Sequence, residues 1–221
     1  MRLTSFAHSC LLAEIDGVRI LFDPGVFSHG FESLTDLDAI VVTHQHPDHA
    51  DPARLGPLLA ANPQAAGYCD PQSPQVWADR PWAGRFTACR TGDRFTVGPV
   101  EAEVVGGRHA VIHPDIPAID NAGFLLGTAD RPGLLLHPGD ELSPPGVPVQ
   151  VLALPATAPW SKLEETIDYY RAVAPEVAVP IHDAIVSDAG RGLYFGQLTA
   201  HGPAGSRFLP LAHGEPVDPL S

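Results

Sequence analysis

Residues 43–49 read THQHPDH, which places three histidines and an aspartate within six positions directly after the apolar run LDAIVV at 37–42. Histidine makes up only 11 of the 221 residues, so this crowding asks for a reason. Alternate residues at the end of a strand point the same way; His44 and His46 can therefore converge from one sheet edge, while Asp48 and His49 follow on the turn. Imidazole nitrogen and carboxylate oxygen suit zinc, iron or manganese, and the absence of cysteine from the cluster leaves the choice among them open. An open catalytic metal needs about three protein ligands and a position for water. Four donors in one turn exceed that, so the cluster points to two metals and predicts further His and Asp ligands downstream, where apolar strands end.

Such residues recur. His109 follows VEAEVVGGR, Asp140 follows GLLLHPG and His182 follows VAVPI, each a polar residue at the exit of a strand-like run. Taken singly, each has a plainer reading: His182 as a hydrogen-bonded core histidine, Asp140 as the start of a turn. Their repetition at strand exits carries the case for metal.

The surrounding chain predicts the scaffold. SCLLAEI, VRILFDPG and LDAIVVTH read as strands, and Asp16-Gly17 supplies the positive φ of a tight hairpin turn between the first two. After the histidines, Asp51 is an N-cap, Pro52 takes the first helical position, and Leu55, Leu58 and Leu59 share one face. Strands return at RFTVG, VEAEVVGG, GFLLGT, GLLLHPGD and VQVLALPA, followed by a helix at SKLEETIDYYRAVA and a strand at EVAVPIHD. A helix over 189–200 is expected, weakened by Gly190, Gly192 and Gly196. Strands dominate both halves and helices come late in each. This predicts an α/β (α+β) fold with two sheets inside and helices outside, as a single domain over 1–221.

Composition narrows the partners. With 44% apolar residues the chain can enclose a sizeable core, and its net charge of -13 repels a phosphate backbone, which disfavours nucleic acid. No apolar run reaches the roughly 18 residues of a spanning helix, and His8, Ser9 and Glu14 interrupt the amino-terminal stretch. A cytoplasmic protein with a small-molecule substrate is expected, and a homo-oligomer is compatible with the sequence. Cys10, Cys69 and Cys89 lack CxxC spacing and read as small buried apolar residues.

His44, His46, Asp48 and His49, with His109, Asp140 and His182, resemble the pattern of the metallo-β-lactamase superfamily: HxHxDH, then a single His, Asp and His. The stretch HSCLLAEIDGVRILFDPG is similar to that superfamily's first hairpin, with Asp23 at the place of an aspartate behind the ligands. NAGFLL and VPIHDAIVSDAG look closest to the branch containing ascorbate-6-phosphate lactonase and N-acyl-phosphatidylethanolamine-hydrolysing phospholipase D. The resemblance implies a four-layer αβ/βα sandwich, two mixed sheets flanked by helices, with a dinuclear site in the groove between the sheets. It implies a first metal on His44, His46 and His109, a second on Asp48, His49 and His182, and Asp140 as the bridge. Asp23 would orient a ligand imidazole from behind. Two divalent ions, zinc first and manganese or iron as alternatives, would share a hydroxide nucleophile that Asp48 or Asp140 orients or relieves of its proton. The implied reaction is hydrolysis of a small ester, lactone or phosphate ester.

Further residues have open roles. His8 either approaches the metal groove or satisfies a strand end. Asn121 either binds substrate or stabilises a turn. Where some relatives carry an extra histidine, LPATAPWSKLEE offers Trp160, a packing residue near the groove, and Lys162, the only lysine, which either contacts an anionic substrate or is solvated at a helix start. The rival functions are a phosphodiesterase or nuclease of the same superfamily, a mononuclear-iron oxygenase, and a non-catalytic protein stapled by metal.

Overall fold

A computed structural model describes residues 1–221. The first sheet is built from β1 (Arg2–Ser5), β2 (Leu11–Ile15), β3 (Val18–Phe22), β4 (Ala39–Val42), β5 (Ala66–Cys69) and β6 (Phe86–Ala88), side by side in chain order. β1 to β3 form an antiparallel meander, and β3 to β6 are parallel. Asp16 (φ 49°) and Gly17 (φ 88°) make the β2–β3 turn, which holds Ile15 opposite Val18.

The second sheet repeats this logic. It contains β7 (Arg94–Val97), β8 (Val100–Val105), β9 (Gly123–Thr128), β10 (Arg131–His137), β11 (Val151–Pro155), β12 (Val177–Ile181) and β13 (Arg207–Phe208), again adjacent in chain order. β7 to β10 alternate in direction, and β10 to β13 run parallel.

Helices cover the outer faces. On the first sheet lie α1 (Pro52–Ala61) and the single turn α2 (Ser73–Val76). Asp51 caps α1 by accepting from the Ala53 N–H at 2.8 Å, and Leu55, Leu58 and Leu59 bury its inner stripe. α3 (Leu163–Val173) and α4 (Asp188–His201) cover the second sheet. α4 persists through its glycines because Ser187 caps it and because a Cβ at Gly192 or Gly196 would meet nothing, which places those positions on the open face. No helix is long and apolar enough to cross a membrane.

Burial follows the layers. Ala13, Ile20, Phe22 and Val41 of the first sheet pack with Val104, Phe124, Leu126 and Val179 of the second in one core between the sheets. A second cluster joins the first sheet's outer face to α1 and Trp77, and a third joins the second sheet to α3 and α4. The architecture is two mixed sheets flanked by helices, as the sequence predicts. Cys10, Cys69 and Cys89 are buried and free.

Candidate metal centre

The exits of β1, β4, β8, β10 and β12 bring His8, the THQHPDH turn, His109, Asp140 and His182 to one edge, so both sheets contribute. They form two groups, His44/His46/His109/Asp140 and His8/Asp48/His49/His182, and within each group one donor atom per residue lies within 4.8 Å of every other. Asp140 reaches across: its Oδ2 is 3.3 Å from His109 Nε2 and 3.1 Å from His182 Nε2, while Oδ1 is 3.1 Å from His49 Nε2. Gly139 (φ 65°) carries this aspartate between Asn121 and Thr43, so closely that any side chain there would collide with both. Gly25 is similarly confined, because a Cβ on it would run into the Asp48 backbone carbonyl.

The ring orientations decide what these histidines are built for. His109 Nδ1 donates to the Ala110 carbonyl at 2.6 Å, and His182 Nδ1 donates to the Thr157 carbonyl at 2.7 Å. His49 Nδ1 faces Asp23 Oδ2 at 2.7 Å, and His44 Nδ1 faces Thr43 Oγ1 at 3.1 Å. In a neutral ring so anchored, Nε2 keeps its lone pair and aims it inward. The Nε2 atoms of His49, His109 and His182 and Oδ1 of Asp140 are buried with no well-formed hydrogen bond. Buried polar atoms are normally partnered, so these fit divalent cations, with the outer hydrogen bonds fixing tautomer and aim. His137 is the control. It is equally buried but uses both nitrogens, Nε2 on the Ser9 carbonyl at 2.9 Å and Nδ1 as acceptor from the Gly139 N–H at 3.3 Å.

Electrostatics agree with this division. Burial opposes charge on every group, yet the Asp140 and Asp23 carboxylates raise His49 well above its ordinary value, and Asp140 likewise raises His182. Asp140, despite burial, is held well below the usual carboxylate range by His49 and His182. Against the same burial penalty, the His8 hydrogen bond and the His49 charge bring Asp48 down to about 2. Burial and then the His49 charge push His44 well below its ordinary value. The carboxylates thus draw positive charge, as protons on His49 and His182 or as divalent cations in their place.

The remaining candidates fall into place around these groups. Asp23 (φ 45°) is fully buried and accepts from the Thr43 N–H and hydroxyl, both at 2.8 Å, besides facing His49. His8 (φ 52°) is buried, with Nε2 3.1 Å from Asp48 Oδ2. Asn121 accepts from the Asp140 N–H at 3.0 Å and donates to the Pro138 carbonyl at 2.8 Å, which braces the turn bearing Asp140. Trp160 donates from Nε1 to Asp140 Oδ2 at 2.8 Å and stands edge-on to His109 and His182. Lys162 is exposed at the start of α3, where its N–H donates to Glu165, and it does not line the cavity. Thr43 contacts His44 and His49 and adjoins His44 in sequence, whereas Thr157 holds His182 from 25 positions away and gives no sequence signal.

A cavity of about 320 Å³ opens onto His46, Asp48, His109, Asp140, Trp160 and His182. It lies where loops follow strand ends, the usual place for a ligand in a layered α/β fold.

Known proteins resemble this chain in sequence and fold. A family model described as a β-lactamase superfamily domain matches residues 2–182. The Mycobacterium tuberculosis protein Rv0786c is 51% identical over 210 residues, covering 95% of this chain and 97% of its own. A UPF0173 metal-dependent hydrolase of Carboxydothermus hydrogenoformans is 25% identical over 219 residues, 86% of this chain and 89% of its own. In fold, the chain is similar to Igni18, a metallo hydrolase of Ignicoccus hospitalis, with a TM-score of 0.73 at 20% identity, covering 98% of this chain and 97% of that one. The family match begins in β1 and ends on His182, the last inward-facing histidine, and on that span the chain belongs to the metallo-β-lactamase superfamily.

Proposed function

We propose that the chain is a metal-dependent hydrolase that binds two divalent cations, zinc foremost, and cleaves a small ester, lactone or phosphate ester. One observation carries this reading: within two adjoining sets of donors, the inner nitrogens of His49, His109 and His182 lack well-formed hydrogen bonds while their outer nitrogens are anchored. His44, His46 and His109 would hold one cation, Asp48, His49 and His182 the other, and Asp140, which contacts rings of both groups, would lie between them. Bound there, such cations lower the pKa of a water and polarise a carbonyl or phosphoryl oxygen.

The chain's own residues do the rest. Asp23 and the Thr157 carbonyl hold His49 and His182 in aim. Asp48, held ionised and partly open to solvent, is placed to accept the proton of an attacking water. For an ester, water oxygen bonds to the acyl carbon, the bond to the alkoxy oxygen breaks, and a proton passes to that oxygen, giving an acid and an alcohol. The hydrolase names of relatives support the reaction class. The likeness of NAGFLL and VPIHDAIVSDAG to the ascorbate-6-phosphate lactonase branch supports lactone chemistry.

Elemental analysis of purified protein tests the reading. About two equivalents of zinc, manganese or iron are expected, reduced in His46→Ala. No stoichiometric metal after reconstitution with each ion would overturn it.

A further inference from the structure

The mouth of the metal cavity and the slot beside it collect most of the chain's large exposed apolar side chains. Of eight large hydrophobic residues left in solvent, Val26, Phe27 and Ile185 line this cavity, and Val111 and Ile116 line a slot of about 30 Å³ beside it. Cavity and slot share His46, His109 and Ile112, so the apolar surface is continuous with the metal donors. These residues come from three segments, the loops after β3, β8 and β12. Single exposed hydrophobic residues need no explanation, but a rim gathered from separate loops around a polar centre marks a binding site. Phe27 is 47% exposed while its ring stands edge-on to buried His8 at 5.3 Å, so the rim begins one residue from the donors.

Charge points the same way. No arginine or lysine lines the cavity or the slot. The acidic groups lining the cavity are Asp48 and Asp140, both among the metal donors. A substrate carrying a phosphate or carboxylate away from its reacting bond would surrender hydration there and find no cationic side chain in return. An alkyl group would leave water for Phe27, Ile112 and Ile185.

We infer that the substrate carries an uncharged, apolar acyl or alkyl group, bound by Val26, Phe27, Ile112 and Ile185, which makes lipophilic esters or lactones the substrate class. For its reacting centre this assignment relies on the hydrolase reading; its selectivity comes from the rim alone.

The zinc-reconstituted full chain is assayed on p-nitrophenyl esters from acetate to octanoate and on p-nitrophenyl phosphate. kcat/KM is expected to rise roughly tenfold or more from acetate to octanoate, mainly through KM. The phosphate should be the poorest substrate. Phe27→Ser should lower the octanoate-to-acetate ratio about threefold or more. A flat series, a preference for phosphate, or an unchanged ratio in Phe27→Ser would overturn the inference. If no ester is turned over, the hydrolase reading fails, and calorimetry decides selectivity on its own: N-methyloctanamide binding about tenfold tighter than N-methylacetamide supports it, and equal binding overturns it. Sedimentation revealing a dimer that Phe27→Ser dissociates would also overturn it, since the rim would then be a subunit interface.

Discussion

Two cavities divide the molecule's polar chemistry differently. The larger, about 640 Å³, lies across β7 to β10 and is lined by Arg94, Glu101, Glu103 and Leu125. The sequence neighbours Val104 and Phe124 point the other way into the core between the sheets. Two of its charges pair in solvent, Arg94 with Glu103 at 2.8 Å. The smaller, about 320 Å³, is lined by His109, Asp140 and His182, whose buried inner atoms include several with no well-formed hydrogen bond. Volume therefore does not locate the chemistry here. Unpartnered buried atoms do, because a fold tolerates their cost of about 1–3 kcal/mol each only where something else compensates.

The sharpest way to break this contrast is to change one carboxylate in each cavity. Asp140→Asn should lower kcat more than a hundredfold and lose metal, exceeding the roughly 10–100-fold effects of outer partners, whereas Glu103→Gln should leave both within about twofold. Equal losses in the two variants would abolish the distinction. Next in size, Asp23→Asn leaves the inner donors in place but weakens the anchor of His49. Metal affinity, read by competition with a chelator, should fall about 10–100-fold. Trp160→Phe removes the donor to Asp140 while keeping an aromatic ring. A roughly tenfold fall in kcat/KM with unchanged near-ultraviolet dichroism outside the tryptophan band is expected, and no change would reduce Trp160 to packing.

The smallest effect on turnover concerns a buried carboxylate with a purely local task. Asp70 accepts from the N–H groups of Gln72 and Ser73 at 2.8 and 3.1 Å and from the Ser73 hydroxyl, and burial raises it to about 6. A folded-state value above the unfolded one means the folded chain holds that proton more tightly. Its contribution to stability is full below about pH 4 and is lost as pH rises to about 6. Asp48, at about 2, has the opposite sign: its contribution is present above the unfolded value near 4 and is lost as pH falls toward 2. Asp70→Asn removes the titrating proton, so in urea titrations it should gain on the wild type by about 3 kcal/mol between pH 4 and 6 and hold that gain above. A constant difference across this range would remove Asp70 as its source.

Much of this was legible in residue order. THQHPDH, His109, Asp140 and His182 stand at strand exits in the sequence, and the fold brings them to one edge, while the Leu55/Leu58/Leu59 stripe marked α1 directly. β5, β6 and the one-turn α2 were not foreseen; they are short and draw their stability from the parallel neighbours and core they join rather than from local pattern. His8 lies 40 positions from Asp48, and no spacing rule links residues that meet only when β1 and β4 are in one sheet. Trp160 gave a packing signal, and its hydrogen bond to Asp140 depends on how the loop after β11 folds back. Lys162, open to two readings in the sequence, begins a helix in solvent. The apolar rim was invisible because isolated Phe27, Val111 and Ile185 form a surface only after three loops converge.

His8, Asp23 and His182 have φ of 52°, 45° and 62°, a left-handed conformation that side-chain-bearing residues adopt at a cost of about 1–3 kcal/mol each. Glycine would relieve that cost and erase the imidazole or carboxylate in the same stroke. Selection for thermal tolerance alone should therefore accumulate glycine at His8 and His182, and selection for turnover should remove it, whereas at Asp23 glycine would strand the buried Thr43 and His49 donors and gain nothing. Libraries randomised at the two histidines and sorted once by heat and once by activity would diverge in opposite directions, a trade-off written into two backbone torsions.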